Sequence, residues 1–148
     1  MRSVKRWIEQ NFGDAAADGP ARREQSRKLA VAALLVEVLR ADYDVAEEER
    51  RQVLESVRGM LDLDAAQCAE LLVDAEQQVD RAHDLHQFTT AVNRELTHDE
   101  KLQLVEQMWR VAQADAIVHK YEEHIIRRGA DLLHVSHREF IVAKLRST

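Results

Sequence analysis

Only five of the 148 residues are glycine or proline, four of the former and one of the latter. An all-β chain turns back every ten residues or so, and its turns draw on those two residue types. So few breakers leave helices as the only economical way to build a core. Composition agrees: Ala, Leu, Glu, Gln and Arg, all good helix formers, dominate the sequence. The fold class read from the sequence is all-α. The longest apolar run, Leu29 to Val36, is eight residues, well short of the ~20 a membrane-spanning helix requires.

Apolar periodicity predicts seven helices, over roughly 25–41, 47–59, 65–82, 85–95, 98–114, 120–131 and 137–146. Three starts carry a capping-box spacing, with Asp64 before Gln67, Thr97 before Glu100 and Ser136 before Glu139. Asp84 reads as the cap of the fourth helix, and Gly59 as the stop of the second. Ahead of these, residues 3–12 read as an eighth, short amphipathic helix with Val4, Trp7, Ile8 and Phe12 on one stripe. Arg2, Lys5 and Arg6 flank that stripe. The stretch from Gly13 to Arg22 reads as a flexible linker. Residues 1–24 are thus an N-terminal helix and linker, and residues 25–148 a helical domain.

The domain repeats itself. Sliding the chain by 73 residues superposes Leu29, Val38, Ala41, Asp42, Val45 and Glu49 on Leu102, Val111, Ala114, Asp115, Val118 and Glu122. One deleted residue later, Leu61-Asp62-Leu63-Asp64 meets Leu133-His134-Val135-Ser136. The units, about 29–72 and 102–145, each run helix, turn, helix, turn, helix. Two such units are expected to pack about a pseudo-twofold axis, burying stripes that neither buries alone.

Each unit sets Ala-Asp-x-x-Val-x-x-x-Glu at its first turn. The Asp ends a helix, where the macrodipole disfavours a carboxylate, and the Glu opens the next, where it is favoured. A local rule broken twice at equivalent positions marks a candidate site. If the dyad gathers the two turns, Asp42, Glu49, Asp115 and Glu122 converge. Four hard oxygen ligands suit Ca²⁺, Mg²⁺ or Mn²⁺ better than Zn²⁺. The competing reading is that each Asp orders its own turn by accepting backbone N–H groups. The pattern is not an EF-hand, because counting from Asp42 places Glu47 at position six and Val53 at position twelve.

The remaining chemistry-bearing residues are quieter. Seven histidines show no His-Glu-x-x-His spacing, and the single Cys68 falls on an apolar helical stripe and reads as a core thiol. Glu47 to Arg51 reads as a solvated helix start. No phosphate loop or nucleophile elbow is present. A net charge of -6 disfavours nucleic acid as a partner. Charge is uneven, since residues 1–28 carry a net +3, and a basic amphipathic segment at residues 1–12 suits an anionic membrane surface or the protein's own helices. The lone cysteine and the absence of a cleavable leader pattern point to the cytoplasm, with peripheral contact at the inner membrane as a variant.

The ordered combination of Leu29-Ala30-Val31-Ala32-Ala33-Leu34-Leu35-Val36-Glu37, Ala41-Asp42 with Glu49, Asp84 to Thr89, and Trp109 with Ala114-Asp115 and Glu122 resembles the TerB-like proteins. The likeness extends over about 25–146, in the uncharacterised bacterial branch of the tellurite-resistance TerB fold. It implies two similar helical halves, an acidic cluster binding a metal ion, and a bacterial, non-catalytic role near stress-response or membrane-associated complexes, with protein partners expected. Carried over by position, the cluster is Asp42, Glu49, Asp115 and Glu122. Many relatives have Gly after the motif Asp, where this chain has Tyr43 and Ala116. The alternatives are a metal-dependent enzyme using the same carboxylates and a membrane-surface adaptor led by residues 1–12.

Overall fold

A computed structural model describes residues 19–41 and 47–148. The predicted helix at 3–12 and most of the linker lie outside the described residues. Within them the chain forms helices α1 (Pro20–Leu39), α2 (Glu47–Leu61), α3 (Ala65–Arg81), α4 (His86–Glu95), α5 (His98–Gln113), α6 (Lys120–Leu132) and α7 (His137–Arg146). No strand occurs among the described residues. The all-α expectation holds.

Local chemistry explains most boundaries. Asp64, Thr97 and Ser136 each accept the backbone N–H three residues on, while Gln67, Glu100 and Glu139 reach back to the cap N–H. A fourth residue of this kind, not foreseen, is Glu122, whose Oε1 accepts from His119 N at 3.0 Å. α1 begins five residues before the predicted start, because Pro20 takes the first helical position, where its fixed φ and missing N–H cost nothing. Residues 20–22, predicted as linker, are therefore helical. Gly59 does not stop α2, which runs on to Leu61 and leaves through Asp62 at φ 54°. His134, at the matching place after α6, is also left-handed at φ 62°. Asp84 is one residue early to be the cap of α4; its Oδ1 accepts from His86 N at 2.8 Å.

α1 and α5 pack on each other at the centre, and the remaining helices surround them. From Leu29 to Val36 every side chain of α1 is buried, which explains why that run is continuous rather than striped. α5 contributes Leu104, Val105, Met108, Trp109, Val111 and Ala112. Cys68 is buried as expected, and burial raises its thiol pKa. Among the described residues no helix is long and apolar enough to cross a membrane.

Candidate functional site

The second acidic turn joins α5 to α6. Asp115 folds back on it, its Oδ1 accepting from Ile117 N at 3.1 Å, while its Oδ2 lies 3.7 Å from His119 Nε2. This is the turn-ordering role that competed with the metal reading, and Asp115 performs it. Next in the turn, Ala116 sits at φ 69°, in the left-handed region where a Cβ crowds the backbone and glycine is favoured. The resemblance marks this as a glycine position in many relatives, and the backbone supplies the reason. Ala116→Gly is expected to stabilise the fold by about 0.5–1 kcal/mol, the relief of strain exceeding the added chain entropy, as read by chemical denaturation. Val118 tucks partly under the turn against the core.

Glu122 enters the first turn of α6 and is fully buried, as is Glu49 in the first turn of α2. The two carboxyl groups lie close enough that Glu49 acts on the ionisation of Glu122. Burial raises the pKa of Glu122; the neighbouring Glu49, the His119 N–H and the His119 charge pull it back, and Asp115 pushes it up again. Two carboxyls in one buried place disfavour each other's ionisation, in keeping with the upward direction at Glu122. Glu49 corrects the view of Glu47 to Arg51 as a solvated start. Glu47 and Glu48 are exposed, but Glu49 turns inward.

Glu49 and Glu122 stand 73 residues apart, as do Arg27 and Glu100, which form a 2.8 Å ion pair between α1 and α5. The structure therefore brings Glu49 and Glu122 together and sets Asp115 close enough to act on Glu122. Asp42 lies outside the described residues. Among the described residues, no group of three or more His, Cys, Asp or Glu side chains is gathered so as to hold a metal ion. The donors present are mainly carboxyl oxygens, which suit a hard divalent cation better than zinc, with the His119 imidazole beside Asp115 as the one nitrogen.

Two of the histidines make contacts away from this turn. His98 Nε2 lies 2.8 Å from Glu139 Oε2, and His137 stacks on Phe140 with ring centroids 6.0 Å apart. The feature that periodicity missed is Glu37, half-buried on α1 among otherwise apolar neighbours in sequence; burial raises its pKa to about 7, against a lowering by Arg40.

An all-helical chain with a buried carboxyl pair contributed by two equivalent helix starts is a definite kind of domain. The family model for tellurite resistance protein TerB matches residues 28–145, and the chain belongs to that family. No curated protein and no solved structure matches it.

Proposed function

We propose that this chain is a non-catalytic binding module in which the carboxylates at the two interhelical turns hold a divalent cation, Ca²⁺, Mg²⁺ or Mn²⁺. The observation that carries the reading is the meeting of Glu49 and Glu122, both fully buried, at equivalent positions of the repeat. Burying two carboxyls costs several kcal/mol, more than a helix cap returns, and a cation offsets that cost. Asp115 supplies a third oxygen source beside them, and Asp42 is its repeat counterpart. A bound ion supplies positive charge to the pair and braces the turn.

Ile117 and Tyr121, each about two-thirds exposed, flank this turn. Large apolar side chains standing free beside a charged centre suit a protein partner rather than solvent. On this reading the braced turn is the partner-binding surface, in a cytoplasmic protein serving a tellurite-type stress response as its family name suggests.

The test is thermal unfolding in EDTA and in Ca²⁺, Mg²⁺, Mn²⁺ and Zn²⁺, on the wild type, Glu122→Gln and Asp42→Asn/Asp115→Asn. An ion binding only the folded state adds about 2.7 kcal/mol at a hundred times its dissociation constant. A rise in midpoint with one hard cation, lost in both variants, is the expected result. Glu122→Gln should meanwhile match or exceed the wild type in EDTA, since the amide gives Glu49 a neutral partner. If no ion moves the wild-type midpoint, the cation reading fails and the carboxyls serve only their own turns.

A further inference from the structure

α7 carries two apolar faces where the body uses one. Phe140 and Ala143 are buried against the neighbouring helices, Phe140 with its ring beside Trp109. Ile141, Val142 and Leu145 fall on the opposite side of the helix, at 100° per residue, and are 38, 37 and 68 % exposed. A helix that packs by one face needs only one apolar stripe. α3 shows what the outward side of such a helix otherwise holds. Asp64 caps it as Ser136 caps α7, and counted from those caps Cys68 and Leu71 are buried where Phe140 and Ala143 are. Its outward positions are Ala69, Glu70 and Val73, so only the last is a large apolar side chain.

Beside this stripe an open groove of about 330 Å³ runs between α7 and one face of α5, with Leu102 and Val142 among its lining. The two helices run in the same direction. His98 Nε2 lies 2.8 Å from Glu139 Oε2 at their starts, and Ser147 Oγ donates to Gln113 Oε1 at 2.9 Å at their ends. Charge along the groove is mixed but sorted by end. At the starts Asp99 and Glu139 outnumber Arg138. Toward the ends stand Arg146 and Arg110, and Glu106 is taken up by Arg110 at 3.4 Å. One end is therefore negative by one unit of charge and the other positive by one.

This pattern selects its occupant. A partner of one sign is repelled at one end of the groove, whereas a surface with the same two ends, laid antiparallel, is complementary at both. A second copy of this chain presents that surface. A twofold axis perpendicular to α7 and passing near Val142 lays groove edge on groove edge and reverses it along its length. Arg146 of each copy then faces Asp99 and Glu139 of the other. Leu145 of each lies along the methylene stem of the other's Arg138, so that cation is accommodated rather than opposed. Ile141, Val142 and Leu145 make a small apolar centre and the charges its rim, the plan of a weak, reversible interface.

We infer that the chain pairs with a second copy of itself through the outward face of α7, the two α7 helices antiparallel across a twofold near Val142. The inference is independent of the cation reading, and its test is run in EDTA so that either can fail alone. The test is sedimentation equilibrium of the full chain from about 1 μM to 1 mM, the range in which weak interfaces associate. The mass should rise from one chain to two and level there, and added salt should weaken the association by screening the rim. Leu145→Glu should weaken it more than tenfold, with the thermal midpoint of the dilute protein unchanged because that side chain is two-thirds exposed. Asp99→Arg and Arg146→Glu should each weaken it several-fold, and the two together should restore it, since the double variant exchanges the signs of the facing charges. A mass of one chain at every concentration overturns the proposal, as does a dimer that Leu145→Glu leaves intact. Charge variants that weaken the dimer without rescuing one another overturn it by placing the contact elsewhere. A mass that climbs past two without levelling describes an open chain of copies and overturns the twofold.

Discussion

Trp109→Ala is expected to cost about 3–5 kcal/mol, which would unfold much of the population at physiological temperature. Trp109 is fully buried on α5, and its ring lies 5.2 Å from that of Phe140 at a tilt of 53°. Lys144 Nζ stands 5.0 Å from the Trp109 centroid, and the Arg127 guanidinium 4.9 Å from that of Phe140. One indole therefore ties α5 to α7, with α6 joined through Arg127. Truncation removes the contact area and leaves a cavity that helices fixed at both ends close only in part. The indole N–H finds no hydrogen-bond acceptor among the described residues. Trp109→Phe, which keeps an aromatic face and deletes that donor, should therefore cost far less, within about 1.5 kcal/mol. Urea denaturation of the two variants checks this. Equal costs would mean that ring contact is not what holds α7 in place.

Glu37→Gln is expected to be more stable than the wild type at pH 8, with the gain vanishing toward pH 4.5. Burial raises the Glu37 carboxyl from 4.5 to about 7, Arg40 opposing and Asp84 assisting. A group whose pKa is higher folded than unfolded binds more protons in the native state, so stability falls as pH rises. The loss begins near the unfolded value of 4.5 and is complete once pH passes about 7. Its ceiling is about 3 kcal/mol, since each pKa unit is worth about 1.4 kcal/mol. Glu100, held below its ordinary range chiefly by the Thr97 N–H, acts in the opposite sense and loses its contribution in acid. The informative quantity is accordingly the difference between variant and wild type across pH, from denaturation at pH 4.5, 6 and 8. A difference that does not change with pH would place the Glu37 carboxyl in water.

Much of the architecture was legible because its determinants are local. Cap and backward-reaching partner lie three residues apart at Asp64, Thr97 and Ser136, and the helices begin there. Seven helices and their spacing follow from periodicity, and the family resemblance from the ordered combination of short segments. Gly59 shows the limit of such signals. A glycine ends a helix only where the backbone must turn left-handed, and here Asp62 takes that conformation instead.

The candidate site divides along the same line. From the residues alone, Asp115 and Glu122 fall at a turn, and Asp115 ordering that turn is a short-range matter that the sequence could pose. What becomes of the Glu side chains is not short-range. Glu47, Glu48 and Glu49 are chemically alike and adjacent, yet only the third is buried, because the position of α6 decides which one points inward to meet Glu122. Glu37 is another case, since the proton affinity of its carboxyl follows from the neighbours that α1 acquires in the fold rather than from its own helix. Sequence by itself determined the helices and their caps, since each rests on contacts within a few residues. Only the tertiary structure decided which carboxyls leave water and which face of α5 stays open, since burial belongs to elements distant in the chain.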